Sequence, residues 1–387
     1  MRLFFNITGL VVFLISCLGQ TSAQAQTPAP TNKELFTGEA LCLPGVYLTK
    51  PDSCLPAGPS LVLTQLAKDG IVFPAPALPV SKPSLELNKI PYQYAKITSP
   101  SAPLYTSPAT ADARVARFNL AGATRYISYT FSQQTDYGLY YLSKSGMWVD
   151  GGDVARASPT VFQGVVVHGT PKTQFGWILT ATRPHTNPDF ASPEVKRDLG
   201  PGELYAVLGI KKVGDTEWIM IGLGEWIEDR VIGRVVPTTV TPKGVDNGRW
   251  VDINLAEQSL TVYDNSTMVF ATLVSTGTKP FFTQPGLFKI NQKKDTETMS
   301  GDFSPDKSGY YYLEDVPWTM YFDQLRAIHG AYWHARFGYD ASHGCVNLSI
   351  GDSRWVYDWA KVGDYVFVYD PSGQTPTDPK FYTKGGA

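Results

Sequence analysis

Three of the chain's five histidines, and the only cysteine of its C-terminal half, fall between positions 329 and 345. The stretch reads Ile328-His329-Gly330-Ala331-Tyr332-Trp333-His334 and, after Ala335 to Ala341, Ser342-His343-Gly344-Cys345-Val346-Asn347. A thiol among imidazoles is a minimal set for covalent acyl transfer. The thiolate attacks, and a neighbouring His removes and returns the proton. A lone Cys is more often buried and inert. Three His near this one, with two Gly that allow close backbone approach, favour a candidate active site. His343 is two residues from Cys345, so in extended backbone the two share a face. His329 must arrive on a separate strand, with the Gly330 carbonyl accessible to hold its ring. Gly344 allows the N–H groups of Gly344 and Cys345 to point together at a developing oxyanion.

Metal binding is the chemical rival. His329, His334, His343 and Cys345 include zinc-ligand types. His329 and His334 are five apart, however, a spacing that suits neither one helix face nor alternate strand positions, and Asp340 is the one carboxylate that stands out nearby. No metal or organic cofactor is expected, because a thiolate with backbone donors suffices.

These residues need positioning elements. Val251, Ile253 and Leu255 alternate strictly, then a turn at Ala256-Glu257-Gln258, Leu260 and Val262, and a turn at Asp264-Asn265 follow. This is the pattern of a β-meander with one buried face. Tyr365 to Tyr369 is a further strand. Ser349-Ile350-Gly351-Asp352 reads as a capping box opening a helix, with Trp355 and Trp359 on its inner face and Gly363 at its C′ end. That helix begins just after Cys345 to Asn347 and would buttress them. Upstream, Tyr140 to Asp150 is echoed by Trp218 to Glu228: Gly146 matches Gly224, Trp148 matches Trp226 and Asp150 matches Glu228. Two such hairpins suggest two small β-barrels in tandem, resembling bacterial SH3-like modules.

The N-terminus reads as an export signal spanning 1–25. Arg2 supplies charge, Leu10 to Leu18 is too short to cross a bilayer, and Thr21-Ser22-Ala23 or Ala23-Gln24-Ala25 offers small residues for cleavage. Leu14-Ile15-Ser16-Cys17 also resembles a lipobox, which would make Cys17 a lipid anchor. Membrane association is expected only through these two features. In an oxidising compartment Cys42 and Cys54, twelve apart in a Pro-rich stretch, would close a small disulfide loop contributing ~3 kcal/mol. Cys345 then stands out as the reactive thiol. A charged fraction of 18% and a net charge of -2, with no Lys/Arg run, give no footprint for nucleic acid. The expected order is a Pro-rich linker carrying the Cys pair (26–91), modules at 92–157 and 158–237, a catalytic domain at 245–371 and a tail at 372–387.

From about Arg249 to Tyr369 the sequence resembles the YkuD-type L,D-transpeptidase catalytic domain. The resemblance rests on His329-Gly330, Tyr332-Trp333-His334, Phe337-Gly338 and Ser342-His343-Gly344-Cys345-Val346-Asn347. Val274-Ser275-Thr276-Gly277 and Pro285 to Ile290 support it. It implies a mainly β chain: two SH3-like barrels, then a β-sandwich with one or two short helices. It also implies an exported enzyme of peptidoglycan. Its Cys would attack the carbonyl after an L-centre of diaminopimelate in a tetrapeptide donor stem, releasing D-Ala. An acceptor stem's amine would then resolve the thioester into a 3→3 cross-link. Carried over, Cys345 is the nucleophile and His329 the acid/base, oriented by the Gly330 carbonyl. His343 and Ser342 shape the pocket, and Tyr332, Trp333, Gly344 and Asn347 belong to the substrate and oxyanion region. Two departures stand out: Asn347 where many members carry Arg, and Gln284-Pro285-Gly286 in place of Thr-Pro-x-Gly. The same acyl-enzyme resolved by water would be a carboxypeptidase or cross-link hydrolase. An idle domain would leave a wall-binding scaffold.

Overall fold

The computed structural model describes residues 50, 53–54, 59–68, 70–71, 77–302 and 310–382. The export signal, Cys17 and Cys42 lie outside the described residues, and with Cys42 so does the expected Cys42–Cys54 pairing. Residues up to 70 form one unit, in which Pro59–Lys68 is a helix. Everything below concerns the second unit, from Ile71 on. Among the described residues no helix is long and apolar enough to cross a membrane.

The second unit is mainly β. One sheet runs, edge to edge, Val80–Ser81, Val165–Val167, Thr267–Leu273, Ser259–Asp264, Trp250–Asn254, Tyr365–Tyr369 and Gly286–Lys289. The expected meander is its centre: Trp250–Asn254, Ser259–Asp264 and Thr267–Leu273 pair antiparallel, while Tyr365–Tyr369 joins in parallel. Val251, Ile253, Leu260, Val262 and Phe270 pack across a core onto Met320, Phe322, Ile328, Val346 and Leu348 of the facing sheet, and onto Val356 of the helix Ile350–Trp359. This is the expected sandwich. The meander is buried on both faces, however, not one. Its outer face, with Trp250, Tyr263 and Met268 and extended by Val165 and Val167 of the neighbouring strand, is covered by Phe175 and Trp177 from the preceding region. Alternation between aliphatic and aromatic or polar residues had signalled a solvated face; the covering came from residues distant in sequence.

The facing sheet is where the two parts of the chain meet. Val346–Leu348, Arg326–Gly330 and Tyr311–Asp323 lie side by side, and Tyr311–Leu313 then pairs in parallel with Thr124–Tyr126. Beyond that joint the sheet continues through Leu139–Ser143, Trp148–Asp150, Ser101–Tyr105 and Phe118–Ala121. The sequence echo has a structural counterpart. Each Gly–Trp hairpin, with Gly146 at φ +79 and Gly224 at φ +66, is followed by a 3-10 turn and a strand, Gly151–Asp153 then Val154–Ala157, and Asp229–Val231 then Ile232–Val235. Positive φ is what a glycine supplies at such turns.

The stretch expected as linker contributes to the second unit. Val80–Ser81 is its sheet edge, and the 3-10 turn Leu85–Asn88 packs on the helix Ile350–Trp359 so closely that a Cβ at Gly351 would sit 2.3 Å from Asn88 Oδ1. That helix is capped as expected by Ser349, whose Oγ accepts from Asp352 N–H at 3.2 Å. The reciprocal half of the box is replaced. The Asp352 carboxylate, fully buried, accepts from Gly164 N–H at 3.0 Å and from Thr272 Oγ1 at 2.6 Å. Trp355 stacks on Phe270 with centroids 4.2 Å apart, and Trp359 lies under the Arg249 guanidinium. The helix ends at the cap Ala360, so Gly363, at φ +99, falls beyond the C′ position in the following turn.

Candidate active site

The site is built on one pair of parallel strands. Arg326–Gly330 and Val346–Leu348 run together in the register Ile328 to Val346, His329 to Asn347 and Gly330 to Leu348. Side chains alternate along a strand and match across it. His329 and Asn347 therefore share a face, and Cys345, in the bend just before Val346, lines the same cleft. Cys345 carries a thiol, is 8% exposed, and accepts from Ala327 N–H at 3.4 Å.

Burial sets the charge states. It pushes the Cys345 thiol up to about 11, opposed by the Ala327 N–H and the nearby Arg326 guanidinium. It pulls His329 down to about 4, opposed by its bond to Gly330. The resting pair at neutral pH is a thiol and a neutral imidazole. His329 Nδ1 lies 3.3 Å from the Gly330 carbonyl oxygen. A carbonyl only accepts, so Nδ1 carries the proton and Nε2 keeps a basic lone pair.

Ser342, Gly344 and Thr283 shape the approach to Cys345. Ser342 Oγ donates to the Cys345 carbonyl at 2.5 Å and accepts from Gly344 N–H at 3.1 Å. The Gly344 amide is thus committed to Ser342, a correction to its expected place in an oxyanion hole beside the Cys345 amide. Gly344 takes φ +117, and Gly277 approaches so closely that a Cβ there would lie 2.8 Å from Gly344 Cα. Thr283 Oγ1 clamps the Gly344 carbonyl at 2.8 Å.

His343 is exposed and lies parallel to the Tyr311 ring, centroids 5.9 Å apart. His334 turns toward Asn347, with its Nε2 3.0 Å from the Asn347 amide nitrogen, and its Nδ1 accepts from Arg336 N–H. Nε2 therefore carries the ring proton. Asn347 Oδ1 is buried without a partner, and turning the amide so that Oδ1 faces Nε2–H satisfies both groups.

A cleft of about 560 Å³ opens over this face. Cys345, His329, His343, Ser342, Asn347 and Trp333 line it. Gly330 and Gly344 act through backbone, behind that surface. Tyr332, expected among the substrate residues, is core. It stacks on Tyr94 with centroids 3.4 Å apart and donates to the Glu314 carbonyl at 2.7 Å. Asp340, the carboxylate noted for the metal alternative, is exposed and lines a separate cavity. Among the described residues no cluster of three or more His, Cys, Asp or Glu side chains has metal-holding geometry.

Sequence reasoning missed two contributions. Arg326 is buried, paired with Asp323 at 2.6 Å, and tilts the Cys345 thiol toward ionisation; its place one residue before a buried alternation gave no signal. The cleft wall carrying Lys96, Thr124 and Tyr126 comes from the first expected module, far upstream of the catalytic strands, and only a parallel strand pairing reveals it.

Residues 248–368 match the family model of the YkuD L,D-transpeptidase catalytic domain. YciB of Bacillus subtilis strain 168, provisionally named an L,D-transpeptidase, is 24% identical over 127 residues, which are 28% of this chain and 59% of that protein. L,D-transpeptidase 2 of Mycobacterium tuberculosis is 30% identical over 121 residues, 30% of each chain. The match spans less than two thirds of either relative. A crystal structure of an L,D-transpeptidase from Stackebrandtia nassauensis shares 28% identity, over 36% of this chain and 63% of that one, with a TM-score of 0.26.

Proposed function

We propose that this chain, which carries a YkuD-type L,D-transpeptidase catalytic domain, is an exported cysteine acyltransferase that cross-links peptidoglycan stem peptides. One observation carries the reading: His329 lies on the strand Arg326–Gly330, Cys345 immediately precedes the parallel strand Val346–Leu348, and both line one cleft. Nε2 of His329 takes the Sγ proton as sulfur bonds to the donor carbonyl. The resulting oxyanion is met by the Cys345 backbone N–H. His329 passes the proton to the departing D-Ala amine, the C–N bond breaks, and a thioester remains. An acceptor amine then attacks the thioester, loses its proton to His329 and expels Cys345, whose sulfur takes that proton back. No atom is left over and no redox partner is required.

Both groups start uncharged. A thiol pushed up to about 11 beside an imidazole pulled down to about 4 stays uncharged until a substrate carbonyl is in place, and proton transfer coupled to attack is what a positioned general base provides. The leader at 1–25 and a disulfide joining Cys42 to Cys54 fit the same oxidising compartment. The test is incubation of purified tetrapeptide stems with the full chain, followed by mass spectrometry of the products. A dimer lacking one D-Ala supports the reading, and tripeptide alone would reassign the chain as a hydrolase.

A further inference from the structure

The wall of the catalytic cleft that faces away from the meander is made by register, across three parts of the chain. Lys96 pairs with Tyr126, Tyr126 with Leu313, and Leu313 with Met299. One step along, Thr124 pairs with Tyr311. Cross-strand partners point to the same face, and residues two apart on one strand do so as well. Lys96, Tyr126, Leu313, Met299, Thr124 and Tyr311 therefore form one continuous surface, and all six line the cleft. One end of it is the chemistry: Tyr311 stacks on His343 and lines the cleft together with Cys345. The other end is Lys96, two strands away from the Tyr311 strand, roughly 10 Å at ordinary strand spacing.

The charge of this surface is one-sided. Among the described residues, the cleft's lining holds two permanent cations, Lys96 and Arg336, and no carboxylate. Among the described residues neither cation is in an ion pair. Arg336 belongs to the segment just before Ser342, with its backbone N–H on His334, whereas Lys96 lies two strands from the Tyr311 strand. An apolar floor of Tyr126, Leu313 and Met299 between sulfur and ammonium fits a peptide that lies along the wall and ends its contacts on an anion.

Resting on the transpeptidase reading, we infer that Lys96 is a substrate-positioning residue: its ammonium binds an internal carboxylate of the donor stem, remote from the bond that breaks. Through the parallel joint Thr124–Tyr126 with Tyr311–Leu313, the N-terminal β region thereby becomes part of the substrate site.

The experiment measures binding by calorimetry at low salt, using the full chain with Cys345→Ala so that the tetrapeptide stem is not consumed. It compares that protein with versions also carrying Lys96→Ala, Lys96→Arg or Arg336→Gln. The peptides are the native stem, a stem amidated at its internal carboxylates, and a stem amidated only at its C-terminus. Lys96→Ala should weaken the native stem two- to fivefold, about what one exposed ion pair provides, and Lys96→Arg should restore it. Internal amidation should erase the difference between the protein that keeps Lys96 and its Lys96→Ala variant. C-terminal amidation should preserve that difference, and raising salt should shrink it. Equal binding by Lys96 and its Ala variant, or a loss that follows Arg336→Gln alone, would overturn the assignment while leaving the transpeptidase reading standing. Failure of the Cys345→Ala chain to bind any stem would overturn both.

Discussion

His329 stands directly across from Asn347 in the parallel pairing of Arg326–Gly330 with Val346–Leu348, and Cys345, immediately before that second strand, lines the same cleft. That register, rather than proximity in sequence, singles out His329 over His343. His343 is closer along the chain but packs its ring against Phe281 and Tyr311, with centroids 5.1 and 5.9 Å away.

His329→Ala should therefore slow acylation by ~10²–10⁴-fold, the effect of deleting a general acid/base. His343→Ala should cost less, through the lost Tyr311 contact. Stopped-flow acylation of both variants by a carbapenem or a stem peptide measures this. A folded His329→Ala chain that acylates at the wild-type rate would reverse the roles.

The pH profile follows from the neutral resting pair. His329, held down to about 4 by burial, is the unprotonated base at any pH above that value and is lost as pH falls through it. Cys345, pushed up to about 11, keeps its transferable proton until pH rises past that value. Acylation by a substrate of constant charge should thus be flat from about pH 6 to 9. A profile that climbs steeply across that interval would show a thiolate with a much lower pKa.

Much of the site was legible because its residues are close in sequence. His329-Gly330 and Ser342 to Asn347 lie within one short segment, and the alternation at Val251, Ile253, Leu260 and Val262 marks the sheet opposite. What was hidden depends on pairings between distant segments, which leave no periodicity behind. Thr124 against Tyr311 is one, and Val165 to Val167 pairing alongside Thr267–Leu273 is another. Tyr332 shows the same limit. Its place beside His329-Gly330 suggested substrate contact, yet the Tyr94 ring from the N-terminal β region claims it for the core.

That stack has a measurable consequence. Tyr94→Ala removes a buried ring against Tyr332 and a hydroxyl donating to the Asp315 carbonyl at 2.7 Å. Loss of about 3–5 kcal/mol in chemical denaturation is expected, as for other large buried aromatics. Acylation should slow too, since Tyr332 follows His329-Gly330 closely in the chain. Undiminished stability would mean that the N-terminal β region does not support the catalytic strands.

Asp252 offers a test of buried charge away from the chemistry. Burial raises its carboxyl from 3.8 to about 7, opposed by the Trp250 indole N–H and the Tyr369 hydroxyl. The folded chain thus holds this proton more tightly than the unfolded one, so stability is lost as pH rises from about 4 through about 7. Asp252→Asn should remove that slope and raise the Tm at pH 8 more than at pH 5. An equal change in Tm at both values would show that Asp252 is ionised throughout.

The central claim is that Cys345 forms the acyl-enzyme, and intact-mass measurement of the full chain after brief exposure to a tetrapeptide stem tests it most directly. Wild type should gain one mass equal to the stem minus D-Ala, mapped to the peptide holding Cys345. Cys345→Ala should gain none while keeping its stability within about 1–2 kcal/mol. An adduct on the folded Cys345→Ala chain, or one mapped to another residue of the wild type, would contradict it.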